Sequence, residues 1–141
     1  MSESVFVDTS AWFALADRRD ANHDAASEIV RRLLERRALL VTTNQVAAET
    51  YTLMRNRLGP QHAQSFLVRV RISPSTQRVL VLEGWEEAAE DLLREYMDQD
   101  FSYVDATSFV SMRRLGLQDA FAFDSHFSIA GFALMTADYE S

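Results

Sequence analysis

Short apolar runs alternate with longer stretches of helical periodicity along the whole chain. The runs are rich in β-branched or aromatic side chains and are bounded by polar residues, which is typical of buried strands. They predict strands at 5–7, 38–42, 79–82, 120–123 and 132–135. Between them, apolar residues recur every three or four positions, which indicates amphipathic helices. The predicted helices cover 11–17, 22–37, 45–57, 60–72, 85–97 and 103–115.

This alternation predicts an α/β fold. Strand and helix units joined by right-handed crossovers give a parallel sheet that is covered on both faces. The uninterrupted apolar run at 5–7 suits a central strand of such a sheet. The chain has 141 residues and lacks a Pro- or Gly-rich linker. We therefore expect one domain over 1–141, with 136–141 as a frayed tail.

Two of the predicted strands run directly into an aspartate, Asp8 after the first and Asp124 after the fourth. In open α/β sheets, ligands bind in the crevice beyond the carboxyl ends of the strands. A strand-terminal acid is therefore well placed for chemistry. The alternative for the first of them is structural, since Asp8 or Thr9 could simply cap the helix that follows.

Two further acids lie in helices that are predicted to begin near the same sheet edge. Glu49 shares a helical stripe with Val46, which points it inward, although a place at the edge of the stripe would let it reach solvent. Asp105 shares a stripe with Phe109, and Ser102 three residues before it gives a capping-box pattern. The capping box alone would explain both Ser102 and Asp105.

If the four acids converge, they predict a metal site. Carboxylates within a few ångströms of one another repel and cannot all ionise without cations. Hard divalent ions, Mg²⁺ or Mn²⁺, are the natural partners of such oxygen donors. Sites of this kind activate a water and neutralise charge on a phosphodiester.

The composition excludes or disfavours several kinds of catalytic and metal site. The chain has no cysteine, which excludes disulfides, thiolate nucleophiles and cysteine-bound zinc. Its three histidines, His23, His62 and His126, are far apart in sequence, and this spacing argues against a histidine-rich metal site. We interpret His126 as a structural residue that caps or packs.

The formal charge of −7 argues at first sight against a nucleic-acid partner. All 14 basic residues are arginine, however, and arginine grips phosphate bidentately. Codon bias is the simpler reason for the missing lysine. Because acids of the metal site would be neutralised by bound cations, net charge is a poor guide to the substrate face.

Taken together, four segments in this order make the chain similar to a PIN domain, the nuclease fold of toxins in VapC-type toxin–antitoxin pairs. The segments are Val5-Phe6-Val7-Asp8-Thr9-Ser10, Glu49 in the third helix, Ser102-Tyr103-Val104-Asp105-Ala106, and Phe123-Asp124-Ser125-His126-Phe127 with Ala130-Gly131-Phe132. The resemblance extends over nearly the whole chain.

The resemblance implies a three-layer α/β/α sandwich and a metal-dependent endoribonuclease, commonly a dimer, that cleaves RNA. It implies that Asp8, Glu49, Asp105 and Asp124 form an acidic quartet that binds Mg²⁺ or Mn²⁺. Asp8 and Asp105 would be the principal ligands, and Thr9 would support Asp8. The fourth acid is the least constant position of the family.

Two other classes of protein compete with this interpretation. A receiver-like phosphoacceptor domain also has an acid at a strand end and binds Mg²⁺, but it would usually need a late lysine, and this chain has none. A PIN-like module kept for protein binding would use the same acids as helix caps. A cleavage assay separates that module from a nuclease.

The sequence also predicts partners and a location. Trp12 and Phe13 are adjacent and cannot both face the sheet, and the helix at 60–72 carries apolar residues on more than one side. The leftover apolar surface suits a cognate antitoxin, a homodimer, or both on different helices. The sequence contains neither a membrane-length apolar run nor a signal peptide, so we expect a cytoplasmic protein with no membrane partner.

Overall fold

The computed structural model describes residues 3–136 and places five strands and seven helices there. The strands are β1 Ser4–Val7, β2 Leu39–Thr43, β3 Thr76–Val79, β4 Asp119–Phe121 and β5 Ala133–Leu134. The helices are α1 Thr9–Ala16, α2 His23–Glu35, α3 Asn44–Leu58, α4 Pro60–Ile72, α5 Glu83–Glu95, α6 Tyr103–Leu115 and α7 His126–Ile129. Apart from Thr136, the predicted frayed tail lies outside the described residues. Within 3–136 no helix has the length and apolar character that crossing a membrane requires.

The five strands form one parallel sheet in the order β3-β2-β1-β4-β5. β1 is central, with β2 on one side and β4 on the other. Residue Phe6 of β1 pairs with Val41 of β2 and with Ala120 of β4. The carboxyl ends of β1 and β4 therefore meet at the same edge, as the sequence predicted.

Alternate residues of β1 enter different cores. Phe6 packs in a cluster with residues of α5, α6 and α7. Val5 and Val7 point the other way and pack with residues of α1 and α2. All three side chains are fully buried, which confirms a three-layer α/β/α arrangement around a sheet covered on both faces. A third cluster, built around Phe66, joins α1, α3 and α4.

The third strand lies earlier than predicted. It covers Thr76–Val79 rather than 79–82, and its last pair joins Val79 to Thr43, the end of β2. Beyond that point no strand lies alongside the apolar segment, and the backbone N–H of Val81 instead donates a 2.8 Å hydrogen bond to Oδ1 of Asn44. The prediction of 79–82 was wrong because it followed hydrophobicity, whereas pairing with β2 decides where an edge strand ends.

The fourth strand is shorter than predicted at its carboxyl end. It stops at Phe121, whose carbonyl accepts a 3.1 Å hydrogen bond from the backbone N–H of Asp8. Two residues on, the N–H of Phe123 donates to the Ser10 hydroxyl instead of a strand. Asp124 consequently lies in a loop and not at the strand end, and the one-turn helix α7 follows it without having been predicted.

Candidate metal centre

Asp8 is both a helix cap and a member of the candidate site. It caps α1 as its Oδ2 accepts hydrogen bonds from the Ser10 backbone N–H at 3.3 Å and the Ser10 hydroxyl at 2.9 Å. The two interpretations left open by the sequence are therefore compatible, because capping employs one carboxylate oxygen and leaves the other. The residue is 5% exposed.

Burial dominates the electrostatics of Asp8. It raises the pKa of this carboxyl from 3.8 to about 6, and the neighbouring Asp105 carboxylate adds to the rise. Hydrogen bonds from Ser10 and from the Thr9 backbone oppose the rise in pKa. A nearby cation would stabilise the ionised form of a buried acid whose ionisation is disfavoured in this way.

Asp105 is fixed by the predicted capping box at the start of α6. Its backbone N–H donates to the Ser102 hydroxyl at 3.0 Å, and its Oδ2 accepts from the Ser102 N–H at 3.0 Å. It is 9% exposed. The capping box fixes the carboxylate of Asp105, and its charge adds to the rise in the pKa of Asp8.

Glu49 lies in the second turn of α3 and is half-buried. Burial raises its pKa, the charges of Asp105 and Asp124 raise it further, and a hydrogen bond with the Thr9 side chain lowers it. The Thr9 hydroxyl also accepts a 3.0 Å hydrogen bond from Thr50. Thr9 therefore contacts Asp8 through its backbone, whereas its side chain contacts Glu49 and Thr50.

Asp124 and His126 complete the cluster. Oδ1 of Asp124 accepts a 2.9 Å hydrogen bond from the His126 backbone N–H, and its Oδ2 lies 3.2 Å from Nδ1 of the same histidine. That nitrogen also lies 3.0 Å from Oδ2 of Asp105. The structure thus places His126 between two of the predicted site acids, a position that its interpretation as a capping or packing residue did not include.

Two of the four predicted acids, Asp105 and Asp124, lie together with His126. Ligand atoms of Asp105, Asp124 and His126 all lie within 4.8 Å of one another. Asp8 and Glu49 are not part of that set of three, but the charge of Asp105 raises the pKa of Asp8, and the charges of Asp105 and Asp124 raise the pKa of Glu49. Carboxylates grouped with an imidazole in this way fit a divalent cation such as Mg²⁺ or Mn²⁺.

Sequence reasoning missed two side chains of this site, Ser10 and His126. Both follow an acid by two residues, and both donate a backbone N–H to that acid. An aspartate commonly forms such a turn with the second residue after it, so the Asp8-Thr9-Ser10 and Asp124-Ser125-His126 spacing was an available signal.

Comparison with known proteins was consistent with this geometry. The sequence model of the PIN domain family matches residues 5–133. The 23S rRNA-specific endonuclease VapC20 of Mycobacterium tuberculosis is 39% identical over 128 residues, which cover 91% of this chain and 95% of VapC20. The crystal structure of VapC20, described as a sarcin-ricin loop cleaving toxin, matches with a TM-score of 0.84 at 38% identity over 94% of this chain and 98% of that one.

A more distant structure shares the fold alone. FitAcB from Neisseria gonorrhoeae matches with a TM-score of 0.66 at 14% identity, covering 96% of this chain and 99% of the FitAcB chain.

Proposed function

This chain belongs to the PIN domain family, and from that premise we propose that it is a metal-dependent endoribonuclease and the toxin of a toxin–antitoxin pair. Its substrate is single-stranded or looped RNA. The observation that carries the proposal is the cluster of Asp105, Asp124 and His126, with Asp105 also raising the pKa of Asp8 and of Glu49. The relationship to VapC20, a 23S rRNA-specific endonuclease, supports RNA as the substrate class.

In this proposal, Asp8 and Asp105 are the principal ligands of Mg²⁺ or Mn²⁺, and Asp124 completes the set. The bound ion supplies a Lewis acid that neutralises phosphodiester charge and makes a water more acidic. Glu49 is suited to accept a proton from the attacking water, because it is half-exposed and its pKa is raised. Ser10 and Ser102 hold the carboxylates of Asp8 and Asp105 in place.

The strand order separates this interpretation from a receiver-like domain. Receiver-like folds place the third strand beside the first, in the order 2-1-3-4-5. Here β1 lies between β2 and β4. A catalytically silent binding module is the remaining alternative, and the cleavage assay below decides between it and the nuclease.

We further propose that a cognate antitoxin binds in a groove between α1, α2 and α4, here called the α4 groove. It has a volume of about 850 Å³ and is lined by residues that include Trp12, Leu34, Phe66, Arg69 and Ile72. Apolar anchors of an antitoxin segment suit this lining, and in this proposal an arginine of the same antitoxin pairs with Asp8 and Asp105. A homodimer and a cytoplasmic site of action remain predictions from the sequence.

The test is cleavage of a short RNA stem-loop by the purified chain with Mg²⁺, Mn²⁺ or EDTA. We expect cleavage with either ion, none with EDTA, and loss of activity by roughly a hundredfold or more in Asp8→Asn and Asp105→Asn. Asp98→Asn, at an exposed acid outside the site, is the matched control and should retain activity. Wild-type activity in Asp8→Asn would contradict the assignment of the site, and no cleavage by the wild type would favour the binding module.

A further inference from the structure

Nδ1 of His126 and one carboxylate oxygen each of Asp105 and Asp124 form a compact triangle. Nδ1 lies 3.0 Å from Oδ2 of Asp105 and 3.2 Å from Oδ2 of Asp124. The same three residues can each offer one ligand atom such that all three atoms lie within 4.8 Å of one another. His126 therefore lies within the acidic site and not beside it.

The size of this triangle suits a coordination sphere. Two ligands at right angles on an ion with bonds of about 2.1 Å are about 3.0 Å apart, and ligands opposite each other are about 4.2 Å apart. The distances from Nδ1 to the two aspartates, 3.0 and 3.2 Å, match neighbouring ligands of a single ion. A hydrogen bond from Nδ1 to a carboxylate has a similar length, so an experiment has to distinguish the two.

The imidazole ring is held in this orientation from two directions. The backbone N–H of His126 donates to Oδ1 of Asp124 at 2.9 Å, and this hydrogen bond fixes the start of α7. The Phe101 ring packs against the imidazole edge to face, with centroids 5.3 Å apart and planes at 78°. A ring positioned by both backbone and packing presents Nδ1 with little loss of side-chain freedom, as an effective ligand requires.

We propose that His126 is a nitrogen ligand of the ion held by Asp105 and Asp124, and that this nitrogen makes the site favour Mn²⁺ over Mg²⁺. Mg²⁺ is bound through oxygen, whereas Mn²⁺, a larger transition-metal ion that is also suited to oxygen ligands, accepts an imidazole nitrogen more readily. This inference rests on the proposed function, since it takes the acidic edge as the metal site. It adds a ligand to the acids of the proposed metal site and a preference among the ions that they can hold.

The test uses the full chain loaded with Mn²⁺ and pulsed electron paramagnetic resonance, which detects nitrogen bound directly to the ion. Protein is prepared with histidine at natural abundance and with ¹⁵N-histidine, so that a coupling is assigned to histidine. His126→Phe removes the nitrogen but keeps a ring against Phe101, and His62→Phe changes an exposed histidine as the matched control. Affinities for Mn²⁺, and for Mg²⁺ by competition, are measured on all three proteins.

We expect a histidine nitrogen coupling in the wild type and in His62→Phe, and its loss in His126→Phe. In that variant Mn²⁺ affinity should fall by roughly tenfold or more, and Mg²⁺ affinity by less than about threefold. Mn²⁺ bound by wild type without a histidine coupling overturns this inference and leaves the proposed nuclease intact, even if His126→Phe fails to fold. Coupling that persists in His126→Phe overturns it as well. If no Mn²⁺ binds to the wild type, the inference and the metal site of the proposed function both fail.

Discussion

The Ser10 hydroxyl donates a 2.9 Å hydrogen bond to Oδ2 of Asp8 and ties that carboxylate to the opposite side of the site. The same hydroxyl accepts a 3.0 Å hydrogen bond from the Phe123 backbone N–H, one residue before Asp124. Ser10 thus connects the end of β1 with the loop that follows β4. One small side chain thus adds to the strand pairing that positions two acids 116 positions apart in sequence.

Ser10→Ala should weaken this connection. The partly buried Phe123 N–H and Asp8 Oδ2 each lose a partner, which should lower the free energy of unfolding by about 1–3 kcal/mol. Urea denaturation in EDTA measures this change. Ser65→Ala, at an exposed position of α4, is the matched control and should lie within about 0.5 kcal/mol of wild type. Equal stability of the two variants would show that the Ser10 bridge contributes nothing measurable.

The stability of the metal-free protein should depend on pH through Asp8. In the unfolded chain this carboxyl has its ordinary pKa of 3.8, and burial raises the pKa to about 6 in the folded state. The folded state therefore binds the proton more tightly, so the free energy of unfolding falls as pH rises from about 4 to about 6 and the loss is complete above that. Glu49, whose pKa burial also raises, acts in the same direction.

Asp8→Asn provides the measurement of this effect. Asparagine keeps the cap of α1 but removes the charge, so the variant should match wild type near pH 4 and exceed its stability at pH 7 by up to about 3 kcal/mol. Denaturation in EDTA across this pH range gives the difference, with Asp98→Asn as the control. A constant difference between the variant and wild type at all pH values would contradict the raised pKa of Asp8.

The fold was predictable because short apolar runs alternate regularly with stretches of helical periodicity along this chain. Phe6 and its two valine neighbours fill both faces of the sheet, and the run at 5–7 already indicated this. Hydrophobicity could not locate the ends of β3, because the side chain of Asn44 accepts a hydrogen bond from the Val81 N–H just beyond the end of β2. Such a contact joins residues that are distant in sequence.

The candidate site also contains residues that the sequence could predict and one that it could not. Asp8 and Asp105 stand in local patterns, a strand end and a capping box, and the structure has both patterns. The place of His126 depends on α7, a single turn that puts its ring against Phe101 and between two aspartates. His126 itself lies on no repeating pattern of the sequence, so only the folded geometry brings it next to Phe101 and the two aspartates.

Divalent cations should raise the melting temperature of this protein. An ion that binds only the folded state stabilises it by about 2.7 kcal/mol at a hundred times its dissociation constant. MgCl₂ or MnCl₂ should therefore raise the melting temperature well beyond NaCl of the same ionic strength, and Asp105→Asn should lose most of that rise. Scans of wild type, Asp105→Asn and Asp98→Asn test this. Equal shifts with divalent and monovalent salt would contradict a clustered metal site.

The α4 groove gives the prediction that concerns a partner. Phe66 and Val70 of α4 are buried, whereas Val68 and Ile72 are 53% and 73% exposed, so this helix carries apolar side chains on more than one side. Ile72 lines the groove beside Trp12, and Val68 does not. A charge at either exposed position should leave the fold intact, because neither side chain contributes to a buried core.

Ile72→Glu should therefore weaken antitoxin binding, and Val68→Glu, on the same helix, is its matched control. The chain is co-expressed with the neighbouring reading frame, and the co-purifying small protein and the suppression of RNA cleavage are measured for each variant. We expect the amount of partner that co-purifies with Ile72→Glu to fall by at least tenfold, and Val68→Glu to retain the partner. In the absence of the partner, Ile72→Glu should cleave RNA at the wild-type rate. Light scattering gives the oligomeric state. If Ile72→Glu retains the partner but no longer forms a dimer, the α4 groove is a contact between copies of this chain, and the antitoxin binds elsewhere.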